Sequence, residues 1–363
     1  MDGIVFGLVA IILFIVVLGG IVLIHELGHY LTARALNVRV LEFGIGFPPR
    51  ARVLRSKGET LWTLNWLPIG GFVRLEGEDG DAADDPRSFA AQPLWARLAI
   101  LVAGVGMNIL LAFAIFFLIA LLATPALGVK IGIIEPGSPA ATAGLIPGDE
   151  IYAVNTQQFD LFGGQTVQGA LRAHAGESVQ LGVRHADGAA ITVEATLRPK
   201  SELSETRGAL GVGQLEQTYR YTGHDIGTSA GIAVGELGRW GGLIIGGLGQ
   251  LIDGLIKDPT APPPASGPIG IAVSLADIFL SVGPVVTLYV AAILSVNLGV
   301  VNILPFPPLD GGRSAVLIIK RLFGARVSLR AERVTYAVGF VVLIAFILWI
   351  SGFDIARLGD GTP

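Results

Sequence analysis

The chain is 363 residues long, room for two or three folded units, and 52% of it is hydrophobic against only 15% charged. That balance fits a membrane protein carrying a soluble part and excludes a purely soluble enzyme. A net charge of −4 without a basic surplus argues against nucleic acid as a partner, and the absence of cysteine rules out a disulfide framework and a cysteine-ligated zinc centre.

The first element is an uncharged run, Gly3–Ile24, long enough to cross a bilayer as one helix. No basic segment precedes it and no small-residue cleavage site follows, so it reads as a retained span and not as a removable signal. It leads straight into Ile24-His25-Glu26-Leu27-Gly28-His29-Tyr30. On a helix, positions i and i+4 share a face. His25 and His29 can therefore turn ring nitrogens toward one ion with Glu26 beside it, the H-E-x-x-H arrangement of zinc hydrolases. A catalytic zinc takes three protein ligands and keeps one position open. The other histidines (His174, His185, His224) lie in sequence of soluble character, which leaves a carboxylate or a distant residue as third ligand.

The next segment, Leu31–Arg97, holds nine basic residues. Within it, Arg50–Leu67 holds the turn signal Ser56-Lys57-Gly58-Glu59, and Pro68 with Gly70-Gly71 kinks the chain before Phe72–Leu75, which predicts a β-hairpin over about residues 42–76, either dipping into the membrane interface or lying free of it. The acidic stretch Glu76–Asp85 reads as a surface loop. Leu98–Val129 is the second uncharged stretch. Val129–Pro199 then changes character: short β-type runs alternate with turns such as Glu135-Pro136-Gly137 and Asp187-Gly188, and Ser138-Pro139 signals one short helix. Ser201–Gly227 reads as a polar linker. Gly227–Ile256 is apolar but carries Glu236, Arg239 and Asp253, and predicts an amphipathic interfacial helix, with a fifth span as the alternative.

Ile278–Leu309 and Val334–Phe353 complete a set of four spans. Basic residues test the orientation. Six fall in Arg313–Arg333, one after the last span and none before the first, while the nine between spans two and three are spread over a much longer segment. The positive-inside rule then puts the first and third loops in the cytoplasm and both termini outside with the large segment. The third span ends in Asn302-Ile303-Leu304-Pro305-Phe306-Pro307-Pro308-Leu309-Asp310-Gly311-Gly312, where prolines break the helix and leave Asn302 and Asp310 in the broken part. An ionisable residue there points to function, and Asp310 is the natural third ligand; the alternative is a solvated helix end.

Taken together these residues resemble the site-2 protease family of intramembrane zinc metalloproteases, over most of the chain. The family's H-E-x-x-H is His25-Glu26-Leu27-Gly28-His29, and its N-x-x-P-x-P-x-x-D-G is Asn302 through Gly311. Gly267-Pro268-Ile269-Gly270 also matches. The β-rich part looks like a single PDZ domain, from Gly137-Ser138-Pro139-Ala140 through Pro147-Gly148-Asp149-Glu150-Ile151. The second span keeps the family's G-x-x-x-N as Gly104…Asn108 but has Val105 where proline is usual.

The resemblance implies a multi-pass α-helical membrane protein of four spans with a cytoplasmic-side hairpin and an inserted PDZ-like domain. Its expected division is 1–127, 128–200 (PDZ-like), 201–266 (linker and amphipathic segment) and 267–363. It implies Zn2+ held by His25, His29 and Asp310, with Glu26 taking a proton from the activated water and returning it to the leaving amine. Asn302 is expected to bond substrate or oxyanion. Asn108 is expected either to hold substrate or to pack helices. Expected substrates are single-span proteins already trimmed outside, such as anti-sigma factors or remnant signal peptides, screened by the PDZ-like domain at the inner (plasma) membrane. A catalytically idle PDZ-bearing scaffold is the alternative from another class, and a metal transporter a weaker one, since only one ligand cluster is visible along the spans.

Overall fold

The computed structural model describes residues 3–78, 84–204, 207–258, 260–323 and 329–359. The middle of the expected acidic loop Glu76–Asp85 lies outside these. The chain divides into two units, Met1–Ile115 with Leu237–Pro363, and Phe116–Glu236.

The first unit begins with helix α1, Gly3–Ala35, which carries the apolar run and the His-Glu motif without a break. At 1.5 Å per residue it is about 50 Å long, more than a hydrocarbon core. It is apolar all round, and Ile4, Leu8, Ile11, Ile12 and Val16 are exposed, as lipid-facing residues are. Strands β1 (Val40–Arg55) and β2 (Leu61–Leu75) form the expected hairpin. Both strands bend midway, so that Val40–Ile45 pairs with Gly71–Leu75 on one side and Leu61–Leu64 on the other. Helix α2, Leu94–Leu122, runs through Val105 without interruption, so proline is not needed there for the helix to form.

The second unit takes in the last turns of α2, from Phe116, and then β3 (Thr124–Lys130). It continues through β4 (Ile133–Ile134), α3 (Pro139–Thr142), β5 (Glu150–Val154), β6 (Gln157–Asp160), α4 (Val167–Ala173), β7 (Ser178–Arg184), β8 (Ala190–Thr196), β9 (Val212–Gly213) and β10 (Glu216–Thr222). The predicted Ser-Pro helix is α3, with Ser138 accepting the Ala141 N–H as N-cap and Pro139 in the first turn. Six strands form one sheet in the order β10-β3-β6-β5-β7-β8. Ile131, Ile151, Leu181, Val183 and Leu210 are among the residues of its core. Ser201–Gly227 is thus not merely a linker: β10 completes the sheet by pairing with β3 along its whole length, from Glu216 opposite Lys130 to Thr222 opposite Thr124.

Helix α5, Ile226–Lys257, follows as one amphipathic helix. Of the stretch expected as third span, Ile278–Ser281 is the end of a separate helix, α6 (Pro268–Ser281), and the span itself is α7 (Pro284–Asn302), the two separated at Val282-Gly283 where Gly283 takes φ +107°. Helices α8 (Asp310–Phe323) and α9 (Leu329–Gly359) complete the chain. Buried Asp354 on α9 accepts the backbone N–H groups of Gly267 and Gly270 at 3.1 and 2.9 Å, which caps α6 and accounts for the Gly-Pro-Ile-Gly motif. Among the described residues four helices are long and apolar enough to cross a membrane: α1, α2, α7 and the Ala331–Gly359 part of α9.

Candidate metal centre

Two helices deliver the three donor side chains. Helix α1 presents His25 and His29 one turn apart, both buried, with their rings edge to face at 4.7 Å between centroids. Asp310 is the first residue of α8. Its place is set by the loop Ile303–Leu309, which folds back over the first turn of the helix. A Cβ on Gly311 would lie 2.1 Å from the Ile303 carbonyl oxygen, and one on Gly312 2.5 Å from the Phe306 carbonyl carbon. Only glycine tolerates carbonyls that close. Arg313, on the same turn, donates to Glu78, whose other oxygen accepts the Leu75 N–H at 3.2 Å, so the end of β2 is tied to α8 beside Asp310.

The outcome is that residues 285 apart in sequence meet. Asp310 Oδ2 lies 3.0 Å from His25 Nε2 and 3.2 Å from His29 Nε2, and the two Nε2 atoms are 3.1 Å apart. Ligand atoms on a tetrahedral zinc, each about 2.0–2.2 Å from the ion, are about 3.3–3.6 Å from one another. The triangle is a few tenths of an ångström smaller, so the three donors already converge on one point and need to part only slightly to hold the ion. Two imidazoles and a carboxylate are also the donor set of a hydrolytic zinc site with a fourth position left open. Among the described residues this is the one group of three or more His, Asp or Glu ligand atoms so clustered. His29 is oriented from behind: its Nδ1–H donates to the Ile100 carbonyl at 2.8 Å, which leaves Nε2 with its lone pair toward the cluster.

Helix α2 packs directly on the imidazoles. A Cβ on Gly104 would stand 2.5 Å from His29 Nε2 and 2.7 Å from His25 Nε2, and one on Gly28 would meet the Ala103 carbonyl at 2.4 Å. Gly104→Ala is therefore expected to displace both rings, with zinc affinity falling about 10- to 100-fold and activity about 100-fold. Gly106→Ala, two residues on and open to space, should leave both unchanged. Metal analysis and a cleavage assay of the two variants check this pair.

Glu26 is half-buried and lines a cavity of about 260 Å³ with His29, Gly71, Phe72, Asp310 and Arg313. Asn302, the last residue of α7, lines a separate cavity of about 270 Å³ that also reaches Asp310. Asn108, expected either to hold substrate or to pack helices, is fully buried, with its amide nitrogen 3.2 Å from His25 Nδ1. Gly104, the Ile100 carbonyl and the Asn108–His25 contact had no recognisable signal beyond the G-x-x-x-N spacing.

The family model of peptidase family M50 matches residues 13–346. The zinc metalloprotease RasP of Geobacillus kaustophilus is 30% identical over 427 aligned residues, covering 96% of this chain and 98% of the relative. A protein of Brucella suis provisionally named a zinc metalloprotease is 31% identical over 361 residues, covering 93% and 92% of the two chains. With four apolar spans, a triangle of zinc-compatible donors and these relatives along nearly its full length, the chain belongs to peptidase family M50, the site-2 proteases, and is a membrane zinc metalloprotease.

Proposed function

We propose that the protein hydrolyses a peptide bond within the transmembrane segment of single-span membrane proteins, with His25, His29 and Asp310 holding the zinc ion and Glu26 acting as general base. The observation that carries this reading is the meeting of His25 Nε2, His29 Nε2 and Asp310 Oδ2 at 3.0 to 3.2 Å at the end of an apolar helix. Bound there, zinc supplies Lewis acidity that brings the pKa of water down to about 7. Glu26 shares its cavity with His29 and Asp310, which suits its carboxylate to take the water proton and return it to the leaving amine nitrogen. Asn302, beside Asp310 in the neighbouring cavity, is the hydrogen-bond donor for substrate or the developing oxyanion.

A helical substrate hides its peptide bonds in its own hydrogen bonds and has to be unwound before attack. Gly71, Phe72 and Val73 of β2 line the Glu26 cavity, so β2 is assigned the role of holding the unwound strand by backbone pairing. The hairpin also exposes Phe47, Leu54, Trp66 and Leu67, the kind of surface that sits in a membrane interface. Mass spectrometry of products from reconstituted protein and a single-span substrate should place the cut inside the apolar segment. A cut confined to the flanking soluble sequence would overturn the reading.

The distribution of Lys and Arg supports a plasma (inner) membrane orientation with the Leu31–Arg97 and Arg313–Arg333 loops cytoplasmic and the β-rich unit outside. We assign that unit as PDZ-like and as a filter against untrimmed ectodomains, with its limits widened from 128–200 to take in β3 and β10. Thr124 and Thr222 are paired partners, so excising residues 125–221 leaves them as ends about 5 Å apart that a short linker can join. The excised protein should cut untrimmed substrate that the full chain rejects. Unchanged selectivity would remove the filter from the proposal.

A further inference from the structure

The second of the two histidines on α1 has an evident orienting partner, the Ile100 carbonyl. The partner of the first is less obvious. Asn108 comes one helical turn after Gly104 on α2, and its side chain is completely buried. Its amide nitrogen is 3.2 Å from His25 Nδ1, while its amide oxygen is buried without any hydrogen-bond partner. The residue is held firmly: its backbone carbonyl accepts the hydroxyl of buried Ser295 on α7 at 2.8 Å.

An amide's oxygen and nitrogen are nearly isosteric, so a half-turn of the side chain offers His25 either an N–H or a carbonyl oxygen in the same space. The two choices have opposite consequences. An amide N–H donated to Nδ1 makes Nδ1 the acceptor and puts the ring proton on Nε2. That nitrogen then has no lone pair for a metal ion. An amide oxygen at the same place accepts the Nδ1 proton, leaves the lone pair on Nε2, and gives the orphaned oxygen a partner. This second arrangement repeats what the Ile100 carbonyl does for His29.

We propose that Asn108 is a positioning residue whose side-chain carbonyl accepts the Nδ1 proton of His25 and so holds Nε2 as the nitrogen that faces the metal. The proposal rests on the reading of His25 as a zinc ligand. It gives the G-x-x-x-N spacing a physical meaning: Gly104 lets α2 approach the rings, and one turn later Asn108 fixes the tautomer of the nearer one.

The test is zinc affinity of the full-length protein in detergent, measured by competition with a chromophoric chelator. Asn108→Leu should bind zinc about 10- to 100-fold more weakly, the usual effect of losing such a partner. Asn108→Asp, whose carboxylate accepts the same proton, should restore the affinity. Cobalt-substituted protein adds a spectroscopic readout: its visible bands should shift in Asn108→Leu and return in Asn108→Asp. Wild-type affinity in Asn108→Leu, with zinc lost from Asp310→Ala, overturns the role of Asn108 and leaves the metal site standing. Wild-type affinity in Asp310→Ala overturns the metal-site reading and this proposal with it. Should Asn108→Leu not fold, the histidine 15N spectrum of zinc-loaded wild type decides. A protonated His25 Nδ1 with coordinated Nε2 is expected, and an unprotonated Nδ1 would overturn the assignment.

Discussion

Glu26→Gln is expected to leave zinc bound and to lower cleavage of a single-span substrate by about 10²- to 10⁴-fold. The side chain keeps its shape and its place in the cavity with His29, Phe72 and Asp310. What it loses is the ability to accept a proton from water. Because the donor triangle is made by His25, His29 and Asp310 without Glu26, the metal content of the purified variant should match wild type. Single-turnover cleavage together with elemental analysis checks both halves. Cleavage that persists within tenfold of wild type in a pure preparation would remove Glu26 from the reaction.

Asp310→Ala carries the second large effect, and it falls on binding before chemistry. Oδ2 is the atom shared by both imidazoles, at 3.0 and 3.2 Å, and nothing else in the described cluster replaces it. Losing an orienting partner of a ligand typically weakens metal binding about 10- to 100-fold, so losing a ligand outright should weaken it by more than about 100-fold and abolish cleavage. Elemental analysis after dialysis against a weak chelator is the measurement. Full zinc occupancy in this variant would mean that the third ligand lies elsewhere. Asp310→Asn, which keeps the oxygen but not the charge, should retain part of the affinity.

Much of this candidate site is legible in the sequence. The i, i+4 spacing of His25 and His29 places both rings on one helical face whatever surrounds them, and an uncharged run such as Gly3–Ile24 can hardly be anything but a span. The bent hairpin was visible in its turn residues. Apolarity alone misled at two boundaries, because it reports burial or lipid contact and not conformation. The stretch Leu98–Val129 looked continuous, yet it stops being helix at Leu122 and enters the sheet at Thr124. Likewise Ile278–Leu309 reads as one apolar stretch, yet the span within it starts only at Pro284, after Gly283, and ends at Asn302. The polar run Glu216–Thr222 looked like a linker because an edge strand facing solvent on one side need not be apolar.

Sequence by itself therefore determined the four apolar spans and the placing of both motif histidines on one helical face, since these follow from local composition and spacing. Tertiary structure alone decided that Asp310 comes within bonding reach of both histidines, that Gly104 lets α2 pack against both rings, and that Asn108 meets His25 and not open space. These relations join helices far apart in the chain, and they are set by how closely two backbones can pack and where a buried polar group finds its partner. No local pattern encodes either one.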